Sequence, residues 1–139
     1  MFPHLHTLHL SYNRIPTKDL SDLGNLQSLQ VLNLASNNLC TLPANLGFLH
    51  SLQELNLSSN NLQATPKDNC SGLFKSLSGI PFLRKLNLSR NKLTEFHSDL
   101  LPEHNASLVY ESQVFIYLEE LYFAFNSVQQ ESKLFYPVV

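Results

Sequence analysis

The sequence predicts an α/β solenoid. Its coils stack through a parallel, concave sheet of about five strands, and the return path on the convex side is irregular or short-helical. Two observations predict this. Five segments share one spacing of leucines: "LHTLHLSYNRI" from Leu5, "LQVLNLASNNL" from Leu29, "LQELNLSSNNL" from Leu52, "LRKLNLSRNKL" from Leu83 and "LEELYFAFNSV" from Leu118. Within each segment the fourth and sixth positions are apolar and alternate with variable residues, the period-two signature of a strand with one buried face. A single coil cannot bury its own leucines, so stacking is what makes a core.

All five segments fit L-x-x-L-x-L-x-x-N-x-L, with Phe123 in place of one leucine and Ile15 and Val128 in place of another. In the first coil, Leu5, Leu8, Leu10, Asn13 and Ile15 are scaffold, and the return path is "PTKDLSDLGNLQS". The second coil returns through "CTLPANLGFLHS", where Leu39, Leu42, Leu46 and Leu49 fill the interior. Repeats start at Leu5, Leu29, Leu52, Leu83 and Leu118, with spacings of 24, 23, 31 and 35 residues. The third and fourth coils therefore hold insertions, at about 63–80 and about 94–116, which should emerge on the return side. The first can hold a short helix through "GLFKSL"; the second contains Pro102 and "PEHNAS", a loop tip. Each alternation breaks at an asparagine: Asn13, Asn37, Asn60, Asn91 and Asn126. An amide side chain both donates and accepts, so these residues are expected to bond the backbone of neighbouring coils as a structural ladder.

The pattern resembles the leucine-rich repeat family over residues 5–128, and the "LPANLGFL" of the second coil is similar to the 23-residue intracellular type. The resemblance implies a right-handed superhelix, protein binding, and a setting in the cell interior, cytoplasmic or nuclear. Residues 1–139 are read as one repeat domain. "FPHL" at 2–5 is similar to the "IPFL" that leads into the fourth repeat, so the chain starts in mid-repeat. It is expected to be a fragment or short isoform of a longer array, or to self-associate end to end through uncapped repeats.

The register sorts candidate binding residues. Positions three, five and seven point away from the leucines onto the open face, and position eight lies at its rim. In parallel strands equivalent positions form columns about 4.8 Å apart. Position three ends in a charge ladder of Glu54, Lys85 and Glu120. Position five reads His9, Asn33, Asn56, Asn87 and Tyr122; position seven is uniformly small. Tyr12, Arg90 and Phe125 occupy position eight. Aromatic residues and arginine dominate interface energy, so Tyr122, Phe125, Arg90 and Tyr12 are the expected anchors for a protein partner.

Other functions find little support in the residues. A net charge of −2 argues against a bulk electrostatic grip on nucleic acid or anionic membrane. Apolar runs such as "LYFAF" at 121–125 are too short for a membrane span, and "MFPHLHTLHL" does not read as a signal peptide. Two cysteines, Cys40 and Cys70, are too few for a disulfide scaffold. Pointing the other way are sequons at Asn56, Asn69, Asn87 and Asn105. They suggest the alternative of an extracellular recognition segment similar to a receptor ectodomain. No phosphate-loop motif occurs, and Cys40 and His50 share no evident site. His97, Asp99, Glu103 and His104 fall in the expected loop, so no enzyme and no cofactor are expected. His4, His6 and His9 do not share a face, so no metal is expected.

Overall fold

A computed structural model describes residues 2–63, 73, 76–77, 79–94 and 117–126. Its sheet holds five strands: β1 (Thr7–His9), β2 (Val31–Asn33), β3 (Glu54–Asn56), β4 (Lys85–Asn87) and β5 (Glu120–Tyr122). They lie in chain order, each parallel to the next. This is the predicted solenoid sheet. Leu8, Leu32, Leu55, Leu86 and Leu121 stand opposite one another, as do Thr7, Val31, Glu54, Lys85 and Glu120. A one-residue slip would turn the leucines outward, so the apolar pattern itself pins this register. The residue before each strand adds a second pin. Its carbonyl accepts two N–H groups of the following coil: His6 from Gln30 and Val31, Gln30 from Gln53 and Glu54, Gln53 from Arg84 and Lys85, Arg84 from Glu119 and Glu120.

The core is a continuous column of leucine. Leu29, Leu32, Leu34, Leu52, Leu55, Leu57, Leu83, Leu86 and Leu88 are buried, and Leu121 and Phe123 extend the column. The return path closes it from the other side. A 3₁₀ helix runs over Thr17–Asn25 after Pro16, and a second over Ala44–Phe48 after Pro43. Each proline sits just before its helix, in extended backbone, where its missing N–H costs nothing. With three residues per turn, side chains three apart share a face. Leu20 is buried, and Leu23 and Leu26 pack against the core; Leu46 and Leu49 are buried. The two helices abut closely. A Cβ on the buried Gly24 would lie 2.7 Å from the Asn45 carbonyl oxygen, so nothing larger than glycine fits without movement.

The expected insertions fall largely outside the described residues. Within the first, Leu73, Ser76 and Leu77 are helical and buried. Leu77 and Ile80 take the interior places that Leu46 and Leu49 hold one coil earlier, and Ser76 Oγ donates to the Leu42 carbonyl. The added chain thus returns to the same core.

Candidate functional site

The repeat asparagine follows the end of its strand by four residues, and from the second coil onward it bonds the coil before it. Asn37 Oδ1 accepts the N–H groups of Asn13 and Ile15 in the preceding coil, and its Nδ2 donates to Leu10 O, Leu34 O and Ala35 O. Asn60 repeats this one coil on, accepting from Asn37 and Leu39 and donating to Leu34 O, Leu57 O and Ser58 O. Asn91 accepts from Leu62 and reaches back to Leu57 O; Asn126 accepts from Leu93 and reaches back to Leu88 O. Asn13 differs. It is exposed, and its Nδ2 donates to Leu10 O and Ser11 O within its own turn. No described coil precedes it.

The position-five side chains stand on the outer sheet face, half-buried in the inner strands. Asn33, Asn56 and Asn87 each spend Oδ1 on a backbone N–H two residues on, at Ala35, Ser58 and Ser89. This local bond tightens the exit from the strand. It was not foreseen, although an Asn two residues before a turn is its signal. His9 and Tyr122 occupy the same column at the two ends. Tyr122 instead donates its hydroxyl to Glu120 Oε2 at 2.9 Å, since residues two apart on a strand share a face.

The position-three column is a linked charge group. Lys85 Nζ lies 3.4 Å from Glu120 Oε1 and 3.8 Å from Glu54 Oε1. The Glu120 charge and then its hydrogen bond, with Glu54 behind them, hold the Lys85 ammonium above its ordinary pKa. The hydrogen bond to Glu120 pushes the Tyr122 phenol up as well. One position earlier, Arg84 meets Glu119 through Nε at 3.1 Å and through a terminal nitrogen at 2.5 Å. Further back still, the rings of Phe82 and Tyr117 lie 5.6 Å apart between centroids. Neither pair shows in columns that start at position three of the repeat. Extending the columns to the residues before each strand places Arg over Glu and Phe over Tyr.

Position eight is the rim. Tyr12, Ser36, Ser59, Arg90 and Phe125 all adopt left-handed backbone, with φ of 62, 56, 55, 56 and 58°. The conformation costs a residue with a Cβ roughly 1–2 kcal/mol, and it turns these side chains away from the coil. Tyr12 is 83% exposed and Phe125 76%. The Arg90 guanidinium carbon lies 5.2 Å from the centre of the Phe125 ring, within cation–π range. Lys85, Arg90, Glu120, Tyr122 and Phe125 therefore gather on the fourth and fifth coils. Tyr12 and His9 stand apart on the first, and the second and third coils between them present Asn33, Ala35, Ser36, Asn56, Ser58 and Ser59.

Among the described residues, no group of three His, Cys, Asp or Glu is placed to hold a metal ion. Cys40 is exposed with a free thiol. His97, Asp99, Glu103, His104 and Cys70 lie outside the described residues. No helix among the described residues is long and apolar enough to cross a membrane.

Comparison with known proteins agrees with this architecture. The chain is 28% identical over 102 residues to human PH domain leucine-rich repeat-containing protein phosphatase 1. That alignment takes in 73% of this chain but 5% of the relative's length. Two family models, both described as leucine-rich repeat, match residues 3–62 and 82–104. Such repeats generally mediate protein–protein interaction and are typically not enzymes. The recurring leucines, the five-strand parallel sheet and these matches have one explanation: the chain belongs to the leucine-rich repeat family.

Proposed function

We propose that the protein is a non-catalytic interaction module that binds a protein partner on its concave sheet face. One observation carries the reading. Lys85, Arg90, Glu120, Tyr122 and Phe125 cluster at one end of a face whose middle coils are mostly small and polar, with the Arg90 guanidinium over the Phe125 ring. Exposed aromatics beside arginine are the residue types that supply most binding energy in interfaces. Tyr12 would be a further anchor on the first coil, and Glu54, Asn33, Asn56, Asn87 and His9 would complete the contact surface as complementarity. The setting we propose is the cell interior, cytoplasmic or nuclear, a reading favoured by two cysteines in the whole chain. The phosphatase activity named for the human relative is not carried over, because this chain spans 5% of that protein.

The test is affinity capture from cell extract with the whole chain, run beside a Tyr122→Ala/Arg90→Ala double variant and a convex-side Phe48→Ala control. Partners held by the wild type and the Phe48 variant should be lost from the double variant, while the circular dichroism melt stays nearly unchanged. Capture that survives in the double variant but fails in the Phe48 variant would move the binding surface to the convex side.

A further inference from the structure

The fourth coil is basic across the whole width of its outer surface. Arg84, Lys85, Arg90 and Lys92 stand at its second, third, eighth and tenth positions. The first two are neutralised, Arg84 by Glu119 and Lys85 by Glu120 and Glu54. Among the described residues neither Arg90 nor Lys92 has an acidic partner, and both are exposed. The Arg90 guanidinium lies over the Phe125 ring, its carbon 5.2 Å from the ring centre, and its N–H donors meet no acceptor among the described residues. A planar fork held in this way suits a carboxylate, which it binds through two parallel N–H···O bonds. The neighbouring Asn87 has its Oδ1 occupied by the Ser89 N–H, so the group it offers outward is an amide donor. This rim presents cations and donors beside one exposed aromatic ring.

We propose that the rim formed by Arg90, Lys92 and Phe125 docks an acidic, extended segment of a protein partner. A carboxylate meets Arg90, a second acid meets Lys92, and an apolar side chain lies on Phe125. The inference rests on the interaction-module reading and narrows it to one chemistry. A polyanion is the poorer fit. Glu54 and Glu120 stand on the same sheet face beside Lys85, and Glu119 is exposed one residue earlier, so an extended phosphate backbone or an anionic bilayer laid across these coils would meet acidic groups as well as the two cations. A short acidic segment confined to the rim avoids them.

The experiment is selection from a random peptide display library on the whole chain, followed by fluorescence anisotropy with the enriched peptides made synthetically. Wild type should enrich peptides with clustered Asp or Glu. Replacing their acids by amides, or using an Arg90→Gln/Lys92→Gln chain, should each weaken binding about tenfold or more. An Arg90→Glu/Lys92→Glu chain should enrich basic peptides instead. Neutral or basic peptides from the wild-type selection would overturn the proposal. Acidic peptides that ignore Arg90→Gln/Lys92→Gln but are lost with Tyr122→Ala would overturn it too, while leaving the interaction face in place. Peptides indifferent to all three changes would remove both readings. Phosphatidylserine vesicles and a single-stranded oligonucleotide form the remaining arms: binding of either that needs Arg90 and Lys92 and exceeds that of the peptides would overturn the peptide assignment.

Discussion

The second and third coils and the fourth and fifth coils are alike inside and unlike outside. Inside, both pairs stack leucine on leucine in one register and close with an inward asparagine. Outside, the second and third coils offer chiefly amides, hydroxyls and small side chains beside Val31, and their outer strand column carries one charge, Glu54, turned to Lys85 of the fourth coil. The fourth and fifth carry two ion-pair groups, a tyrosine bonded to a glutamate, an arginine on a phenylalanine and a Phe–Tyr ring pair. Stacking needs sameness only where coils touch. The outer positions are released from it, so their divergence is where function can be written.

If the interiors are equivalent, equal cuts should hurt equally. Leu55 and Leu86 are opposite neighbours in the sheet and are both buried. Leu55→Ala and Leu86→Ala should each cost about 2–5 kcal/mol, from lost transfer energy and the cavity left behind. Urea denaturation of the two variants checks this. A difference above about 2 kcal/mol would mean that the longer fourth coil relaxes around the cavity in a way the third cannot.

The asparagines sharpen the comparison. Asn60 accepts two N–H groups from the coil before it, whereas Asn91 accepts one among the described residues. The backbone of the donating coil differs between the two: Asn38 precedes Leu39 in the coil that donates to Asn60, and Asn61 precedes Leu62 in the coil that donates to Asn91. In the regularly spaced first and second coils the residue after the asparagine, Arg14 or Asn38, has φ of 53 or 59°. In the extended third and fourth coils, Asn61 and Lys92 instead send their N–H groups back to Leu39 O and Leu62 O. Asn60→Ala should cost about 1–3 kcal/mol by leaving buried backbone groups unpaired. Asn91→Ala should cost less, and thermal melts of the two would rank them.

Much of this arrangement was legible in the spacing of residues, and the reason is physical. An apolar residue at every fourth and sixth position has one way to be buried, so strand order, register and core followed from periodicity. The column of Glu54, Lys85 and Glu120 followed from register alone, because parallel strands place equal positions side by side. Rotamer-dependent contacts did not follow. That Arg90 lies over Phe125 depends on left-handed backbone at both residues, which no pattern of residue types announces at Arg or Phe. The local bonds of Asn33, Asn56 and Asn87 were hidden for another reason: their outward register drew attention to partners, while their oxygens serve their own turns.

The smallest effect tests whether the charges of the fourth and fifth coils act across strands as one group. Tyr122 donates to Glu120, and Lys85 binds the same carboxylate. The hydrogen bond to Glu120 raises the phenol's pKa, burial and the Glu120 charge add to this, and the Lys85 charge lowers it. A raised pKa means that the folded state holds the proton more tightly. Its contribution to stability is therefore present below the ordinary phenol range near 10 and is lost as pH rises through the folded value. Alkaline absorbance titration, with Tyr122→Phe subtracted to isolate this ring from the other tyrosines, reads the shift directly. Glu120→Gln should bring the Tyr122 titration down towards the ordinary phenol range, and Lys85→Met should push it further up. Opposite signs from two neighbours on different strands are what a shared electrostatic group requires. Shifts of the same sign, or none, would reduce the outer face of these coils to independent side chains.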